Sequence, residues 1–210
     1  MTLGLHREQL ARAARALNAR VAYARGLPAL ILMTDEKRLP DPLQAALQLP
    51  AGTAIILRHT NADIRASLAR GLAQIARQRG LILLIAGDAG LAAKIRAHGL
   101  HLPEVRAREA AHWRALHPSW LITVAAHSAR GLLSAGLFRA DAALLAPAFA
   151  TLSHKERPPL GVPRFRLMAA RAAVPIYALG GVNAATIGRF KDAPLAGVAA
   201  IEGLVGDQSS

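Results

Sequence analysis

The sequence predicts an α/β protein folded as a single (βα)8 barrel, the TIM-barrel architecture, with an extra N-terminal helix. Eight short apolar segments alternate along the chain with segments that have helical spacing or helix caps. Apolar strands alternating with helices are typical of a parallel sheet covered on both faces, and eight such units can close into a barrel. No Gly-x-Gly-x-x-Gly motif follows the first apolar segment, which counts against the alternative, an open doubly wound sheet that binds a dinucleotide.

The length and composition favour one domain. The chain has 210 residues, of which 53% are hydrophobic and only 4% aromatic, so the core must consist mainly of Ala, Leu, Ile and Val. We expect a single domain over residues 1–210, with the N-terminal helix within 1–28 and the barrel within 29–205. Because this helix precedes the first strand, we expect it to close the bottom of the barrel.

Each predicted strand is a short apolar run bounded by Gly, Pro or polar residues. Pro175 suits the start of a strand, where it costs no ladder hydrogen bond. The predicted strands are 29–33, 54–57, 81–85, 99–102, 121–125, 142–145, 176–179 and 197–201.

The predicted helices depend on apolar spacing and on capping residues. Apolar residues recur at helical intervals through 10–21, and Gly26 ends this first helix. Asp41 and Ser128 are good N-caps, and Gly80 suits the residue just after a helix. The predicted helices cover 5–25, 42–49, 61–79 with Asn61 or Asp63 as its cap, 91–97, 109–116, 128–135, 164–173 and 184–191.

The net charge of +13, carried mostly by Arg, predicts an anionic partner. A positive field attracts phosphorylated metabolites, nucleic acid or acidic membrane surfaces. The Arg residues are spread along the helices, and few aromatic side chains are present to stack on bases. We therefore expect a small phosphorylated metabolite and no nucleic acid. A merely solvated Arg-rich surface is the alternative, and homo-oligomerisation is left open.

The sequence has no membrane or secretory signature. No apolar run approaches the roughly 20 residues that cross a bilayer, so we expect no membrane partner. The Arg-rich segment 1–26 has no apolar centre of the kind that secretory signals have. Cysteine is absent, which excludes disulfides and thiolate metal sites and fits a reducing cytoplasm. The spacing of the His residues does not suggest zinc, and we expect no bound metal.

Candidate site residues follow the predicted strands, because βα barrels bind ligands at the carboxyl ends of their strands. His127 is the catalytic candidate, since an imidazole titrates near neutrality and can move a proton. The polar residues at the strand ends are Asp35, Arg58, His59, Asp88, His101, Glu104, His127, Thr151, Ser153, His154, Lys155 and Glu202.

These candidates have structural alternatives. His127 could merely introduce a helix, and His101, inside a strand, could be a core polar group with its hydrogen bonds satisfied. Arg58 could be a surface ion-pair partner, although at a strand end it suits an anion clamp. Thr151, Ser153 and Lys155 could merely decorate the long loop 147–161, although a loop of this length in a compact barrel is often functional.

The glycine pair Gly180-Gly181 predicts a phosphate site. A strand that turns sharply at two glycines into a helix capped by Asn183 can present bare backbone amides to an anion. The last two βα turns of such barrels commonly hold phosphate, so we add the amides of Val198 and Ala199. The alternative is an ordinary βα turn that needs glycine only for its backbone shape.

Several motifs together resemble one family. They are Gly-Leu-His-Leu-Pro-Glu at 99–104, Ala-His-Ser at 126–128, Pro-Ala-Phe-Ala-Thr at 147–151, Ala-Leu-Gly-Gly-Val at 178–182 and Gly-Val-Ala-Ala-Ile at 197–201. In this pattern the chain, from about residue 30 to 204, resembles the thiamine phosphate synthase and TenI-like thiazole tautomerase family. That family is a βα barrel, in agreement with the strand count.

The resemblance implies a reaction whose metal site this chain lacks. The synthase joins a pyrimidine pyrophosphate to a thiazole phosphate with the help of Mg²⁺. Of the family's Gln-x-Arg-x-Lys motif only Arg58 matches, and Ala86-Gly87 replaces Asn-Asp. Arg106 stands where the family has its second metal-binding Asp, and Glu202 replaces a Ser. Asp88 could replace the first carboxylate only if its loop shifted.

The resemblance therefore leads to three hypotheses. The first is a metal-independent member that binds a phosphorylated thiazole and uses His127 for proton transfer, as the tautomerase branch does. The second is an active thiamine phosphate synthase with Mg²⁺, and the third is a non-catalytic protein that binds a thiamine metabolite. Substrate-binding roles are expected for Arg58, His59, His101, Glu104, Thr151 and Ser153.

Overall fold

The computed structural model describes residues 2–151 and 158–204, and they form a closed parallel barrel. Each strand pairs with the strands before and after it in the chain, and β8 pairs with β1. The predicted (βα)8 architecture is confirmed, and all eight strand predictions agree with the structure to within one residue at each end. The strands are β1 Leu30–Met33, β2 Ala54–Leu57, β3 Ile82–Ala86, β4 Gly99–Leu102, β5 Leu121–Ala126, β6 Ala142–Leu145, β7 Ile176–Leu179 and β8 Gly197–Ala200.

Helices surround the barrel, and several begin at the predicted capping residues. Asp41 accepts a hydrogen bond from the Gln44 amide, and Ser128 accepts one from the Gly131 amide. Asp88 also acts as an N-cap, so its helix begins two residues earlier than predicted. The helices are α1 Thr2–Ala19, α2 Pro42–Leu47, α3 Ala62–Arg79, α4 Ala89–Lys94, α5 Glu109–Leu116, α6 Ala129–Leu137 and α7 Gly161–Ala170. Within the described residues, no helix is both long and apolar enough to cross a membrane.

The helices predicted over 184–191 and 5–25 were wrong in extent, and those predicted over 91–97 and 164–173 lie two to three residues earlier in the structure. The helix predicted over 184–191 is only a 3₁₀ turn, Ile187–Phe190. The Asn183 side chain accepts hydrogen bonds from the amides of Ala185 and Thr186, and the Thr186 hydroxyl donates to the Gly181 carbonyl. Such local side-chain bonds compete with the helical pattern. The first helix ends at Ala19, and only the short 3₁₀ turn Ala22–Ala24 follows it before β1.

Helix α1 packs against β8 and β1, and the expectation that it closes the bottom of the barrel stays a prediction. It also contacts the 3₁₀ turns that follow β7 and β8. Near its end, the Asn18 side chain donates to the carbonyls of Leu27 and Ala196, just before β1 and β8. After β8 the described chain contains only the 3₁₀ turn Glu202–Leu204, so α1 is the helix beside the closing strands.

The register of the strands determines which side chains point into the barrel. Tyr177 is fully buried, and its hydroxyl donates to the Pro28 carbonyl at 2.7 Å from two strands away, which places the ring inside the barrel near its bottom. Tyr177 is in register with Leu144, Leu144 with Ala125, and Thr123 with His101. Since alternate residues share a face, His101 and Thr123 also point inward, closer to the carboxyl ends.

We expect the Tyr177→Phe substitution to lower the free energy of unfolding by about 1–2 kcal/mol, because the buried Pro28 carbonyl loses its donor. Urea unfolding followed by circular dichroism measures this cost. Tyr23→Phe is the matched control, since that ring is 58% exposed and its substitution should change stability by less than about 0.5 kcal/mol. Equal stabilities of the two variants would contradict the packing described for Tyr177.

Candidate active site

The best-defined polar cluster at the carboxyl end of the barrel joins the turn after β4 to the turn after β5. One oxygen of the Glu104 carboxylate, Oε2, accepts the His127 backbone N–H at 2.7 Å and lies 2.8 Å from His127 Nδ1. The other oxygen, Oε1, accepts the Ser128 hydroxyl at 3.1 Å. Both the His127 and the Glu104 side chains are about one quarter exposed. The structure therefore brings together two residues that the sequence analysis had assigned separately.

This geometry sets the tautomer of His127. When Nδ1 donates its proton to a carboxylate, a neutral imidazole carries its lone pair on Nε2. The double contact through the backbone N–H and Nδ1 also fixes the ring relative to the end of β5. The arrangement is that of a base oriented by a carboxylate, which is the pattern of general base catalysis.

Gly131 makes room for the Glu104 carboxylate, a role that the sequence analysis missed. A Cβ atom on Gly131 would lie 2.5 Å from Glu104 Oε1 and 2.6 Å from its Cδ. The Gly131 amide donates to the Ser128 hydroxyl oxygen, so the carboxylate lies over the first turn of α6, where the helix dipole favours negative charge. The sequence signal for this role was a glycine inside the helix, three residues after the N-cap. Glycine weakens a helix, so its presence there indicates that packing leaves no room for a side chain.

His101 is a core residue with a satisfied hydrogen bond. Its Nδ1 lies 2.9 Å from the Thr123 hydroxyl, and its side chain is almost completely buried. Burial lowers the pKa of His101 to about 4, and the nearby Arg58 guanidinium acts in the same direction. The ring is therefore neutral at physiological pH, which matches the structural alternative raised from the sequence.

Arg58 lies in an ion pair at the rim. Its guanidinium bonds the Asp35 carboxylate, which also binds Arg38. The Arg58 backbone N–H donates to the Thr34 hydroxyl oxygen, which lies 3.1 Å from Nδ1 of His59. Burial lowers the pKa of His59, so this residue is neutral at physiological pH. The Asp35 carboxylate already neutralises part of the charge that the anion-clamp role of Arg58 requires.

Arg106 occupies the position at which the family resemblance places a metal carboxylate. Its Nη1 donates to the Gly87 carbonyl at 2.9 Å, and its Nε and Nη2 bind the two oxygens of Glu109 at 2.7 Å each. The hydrogen-bonded Glu109 carboxylate raises the pKa of Arg106 above its usual value. This guanidinium joins the turns after β3 and β4. Because it is positively charged and offers only hydrogen-bond donors, it repels a divalent cation.

The Asp88 carboxylate makes structural contacts with α4 and α3. Its Oδ1 accepts the Leu91 amide as the cap of α4, and its Oδ2 binds the Arg65 guanidinium at 2.8 Å. Both oxygens therefore have partners inside the protein, and the loop shift that would make Asp88 a metal ligand is not seen. Across residues 2–151 and 158–204, no group of three or more His, Cys, Asp or Glu side chains could hold a metal ion.

The turns after β7 and β8 meet. A Cβ atom on Gly203 would lie 2.7 Å from the Val182 carbonyl oxygen. Gly180 and Gly181 both have positive φ, 94° and 65°. Their backbone amides lie near the point where the two turns converge, and their phosphate role stays a prediction. The sequence analysis did not predict this contact of Gly203. The signal that could have indicated it was the glycine itself, placed directly after Glu202 in the last turn.

The two strand residues proposed to bind phosphate lie inside the sheet. Val198 donates its backbone N–H to the Ala29 carbonyl, so this amide is committed to the barrel. Ala199 is in register with Ile31 of β1 and Leu179 of β7 and is fully buried. Because β8 ends at Ala200, the corner that faces the mouth lies a few residues farther along the chain.

The long loop after β6 packs on the glycine pair. The Phe149 amide donates to the Gly180 carbonyl, and a Cβ atom on Gly181 would lie 2.6 Å from the Ala150 carbonyl oxygen. Thr151 is half-buried next to this contact, at the last described position of the loop's first part. Ser153, His154 and Lys155 lie outside the described residues, as does the side chain of Glu202.

We expect Gly181→Ala to destabilise the protein more than Gly26→Ala. Both residues have positive φ, but a Cβ atom on Gly26 meets nothing within 4 Å. The control should therefore cost about 1 kcal/mol for backbone strain, and Gly181→Ala about 1–3 kcal/mol more because it overlaps Phe149 and Ala150. Urea unfolding of both variants measures the difference, and equal costs would refute the close contact.

We expect His101 to make the protein less stable in acid. Its pKa is about 4 when folded and 6.5 when unfolded, so its contribution to stability is present above pH 6.5 and is lost as the pH falls towards 4. The loss reaches roughly 3 kcal/mol. Urea unfolding between pH 7 and 4 should give a flatter profile for His101→Gln than for the parent protein. Parallel profiles would contradict the burial of a neutral His101, and His112→Gln, an exposed substitution, is the control.

Comparison with known proteins identifies the family and agrees with the fold. A family model described as thiamine monophosphate synthase matches residues 30–204. The chain is 31% identical over 186 residues to a thiamine-phosphate synthase of Chlorobium luteolum, covering 87% of each protein. It is 29% identical over 162 residues to putative thiamine-phosphate synthase 2 of Aquifex aeolicus, covering 75% of this chain and 87% of the relative. Thiamine phosphate pyrophosphorylase from Pyrococcus furiosus shares the fold, with a TM-score of 0.68 at 18% identity over 85% of this chain and 88% of that one.

Proposed function

Because the chain belongs to the thiamine monophosphate synthase family, we propose that it binds a phosphorylated thiazole at the mouth of the barrel and isomerises it by proton transfer, without a metal ion. His127 Nε2 takes a proton from one position of the thiazole ring and returns it at another. The reaction is an isomerisation, so its atoms balance with no second substrate. We place it in the cytoplasm, as expected for a cysteine-free chain of this family.

The contact between Glu104 and His127 carries this proposal. A carboxylate 2.8 Å from Nδ1 holds the neutral imidazole with its lone pair on Nε2 and stabilises the imidazolium that forms when the ring accepts a proton. Glu104 is therefore a positioning residue for His127, which replaces the substrate-binding role given to it from the sequence. Ser128 and the small Gly131 support the carboxylate from the far side.

Phosphate binding at the two convergent turns completes the site. The turn at Gly180 and Gly181 lies against the turn at Gly203, and both follow strands that end at the mouth. Backbone amides at such a corner can bind a phosphoryl group without a charged side chain. With Val198 committed to the sheet, we assign the phosphate to the amides of the two turns themselves. Arg58, at the same end of the barrel, adds positive potential.

Metal independence is supported by the position of Arg106. The family resemblance places metal carboxylates at 87 and 106, and these two positions are joined here by the hydrogen bond from Arg106 to the Gly87 carbonyl. A positive guanidinium there can balance anionic charge but cannot coordinate Mg²⁺. Asp88, the nearest carboxylate in the sequence, is bonded to Arg65 and to the start of α4.

The names of the relatives favour a second candidate function. The chain's relatives in Chlorobium luteolum and Synechococcus are both named thiamine-phosphate synthase. Under that alternative the chain would join a pyrimidine pyrophosphate to a thiazole phosphate, and product would form only when Mg²⁺ is added. A non-catalytic thiamine-metabolite binder is the third possibility, and it predicts tight binding of thiazole phosphate with no turnover.

We expect His127→Asn to reduce the rate of thiazole phosphate isomerisation by about 10²–10⁴-fold, because it removes the base. Glu104→Gln should lower kcat with little change in KM, since it alters the orientation and tautomer of His127 and not substrate contacts. The exposed His6 on α1, which has no role in the proposed site, provides the matched control His6→Asn, which should retain full activity. Proton NMR of the substrate measures each rate.

Three outcomes separate the alternatives. Isomerisation that is unaffected by EDTA and lost in His127→Asn supports the proposal. Product formation from pyrimidine pyrophosphate and thiazole phosphate only with Mg²⁺ would replace it with the synthase function. Binding of thiazole phosphate by calorimetry without any turnover, unchanged in His127→Asn, would leave only the binding role.

A further inference from the structure

A second concave site lies outside the barrel, at the opposite end from the mouth. A cleft of about 400 Å³ opens between α1 and the segment that leads from α2 into β2. A separate small cavity beside the amino ends of β1 and β2 shares the lining residues Ala11, Arg15 and Pro50 with it. Substrate at the carboxyl ends of the strands therefore does not reach it. We call this cleft the arginine cleft because four of its lining residues are Arg7, Arg12, Arg15 and Arg79.

Two of these arginines are held by neutral acceptors. Arg7 Nη1 donates to the Gln48 side-chain oxygen at 2.8 Å, and Arg79 Nη2 donates to the Leu49 carbonyl at 3.4 Å. A neutral oxygen orients a guanidinium but leaves its charge uncompensated, whereas the Arg65 guanidinium is neutralised by Asp88. The carboxylate of Glu8 also lines the cleft, so positive charge is in clear excess there.

We propose that the arginine cleft binds a small polyphosphate anion, meaning a chain of two or three linked phosphates, free or attached to a nucleoside. Arg12 and Arg15 are three residues apart on α1 and so lie on one face of the helix, opposite Arg79 at the end of α3. Guanidinium groups bind phosphate oxygens in pairs of parallel hydrogen bonds. The volume of the cleft is in the range that holds a nucleotide-sized ligand.

The shape and lining of the cleft favour this ligand over a nucleic acid. Single-stranded nucleic acids bind along extended grooves in which aromatic side chains stack on the bases. The residues that line this cleft include no aromatic side chain, and its apolar floor consists of Ala11, Leu49 and Pro50. A short apolar floor surrounded by positively charged guanidinium groups is suited in size and charge to a compact anion. The site is independent of the proposed isomerase function, since none of its residues belongs to the mouth.

Calorimetry with inorganic triphosphate and with ATP, without added metal, tests the proposal on the full chain. We expect Arg12→Gln combined with Arg15→Gln to weaken triphosphate binding by about 10-fold or more. The matched control is Arg70→Gln combined with Arg166→Gln, two exposed arginines on α3 and α7, which removes the same net charge and should change the Kd by less than about twofold. Equal affinity for both ligands would indicate that the phosphates alone are bound, and tighter binding of ATP would add contacts to the nucleoside.

Hydrogen exchange followed by mass spectrometry locates the bound anion. Triphosphate should protect peptides that contain Arg7 to Arg15 and leave those that contain Gly180 to Gly203 unchanged. Protection only at the glycine turns, or an equal loss of affinity in both double variants, would overturn the proposal. So would the absence of triphosphate binding at about 1 mM, or binding that is detected only with a longer RNA oligonucleotide.

Discussion

The closed parallel ladder is the constraint on which the rest of the structure depends. Every strand is hydrogen-bonded on both sides, so a shift of one strand by one residue would turn its inward side chains outward. The register that places Tyr177 across the lower barrel also places His101 beneath the mouth. Since the strands are short, the polar residues that follow each of them emerge at one end of the barrel and can reach residues of the next turn.

Charges at the mouth are organised into pairs that use the carboxylates for positioning. Glu104 orients His127, Asp35 binds Arg58, and Glu109 holds Arg106 over the Gly87 carbonyl. These carboxylates have cationic or histidine partners within the protein, which supports the proposed metal-independent function. The chain has more arginine than these ion pairs use, and four other arginines line the arginine cleft outside the barrel.

Local signals predicted the barrel well and its last turns less well. The strands were predicted to within one residue because apolar runs bounded by Gly, Pro and polar residues reflect burial on both faces of the sheet. The helix expected after Asn183 is a single 3₁₀ turn, because Asn183 and Thr186 bond to nearby backbone groups instead. The phosphate assignment to Val198 fails because its amide donates to the Ala29 carbonyl, and this pairing with a distant part of the chain is not contained in a local sequence pattern.

The sequence by itself determined the fold class, the number and order of the strands, the family, and the end of the barrel at which the candidate residues lie. These follow from periodicity and from motifs that are local in the chain. Only the tertiary structure decided that Glu104 positions His127, that Gly131 makes room for the carboxylate, and that Arg106 bridges to Gly87. Those contacts join turns some 20 residues apart, and their distances depend on strand register and helix placement, which are fixed only when the whole barrel closes.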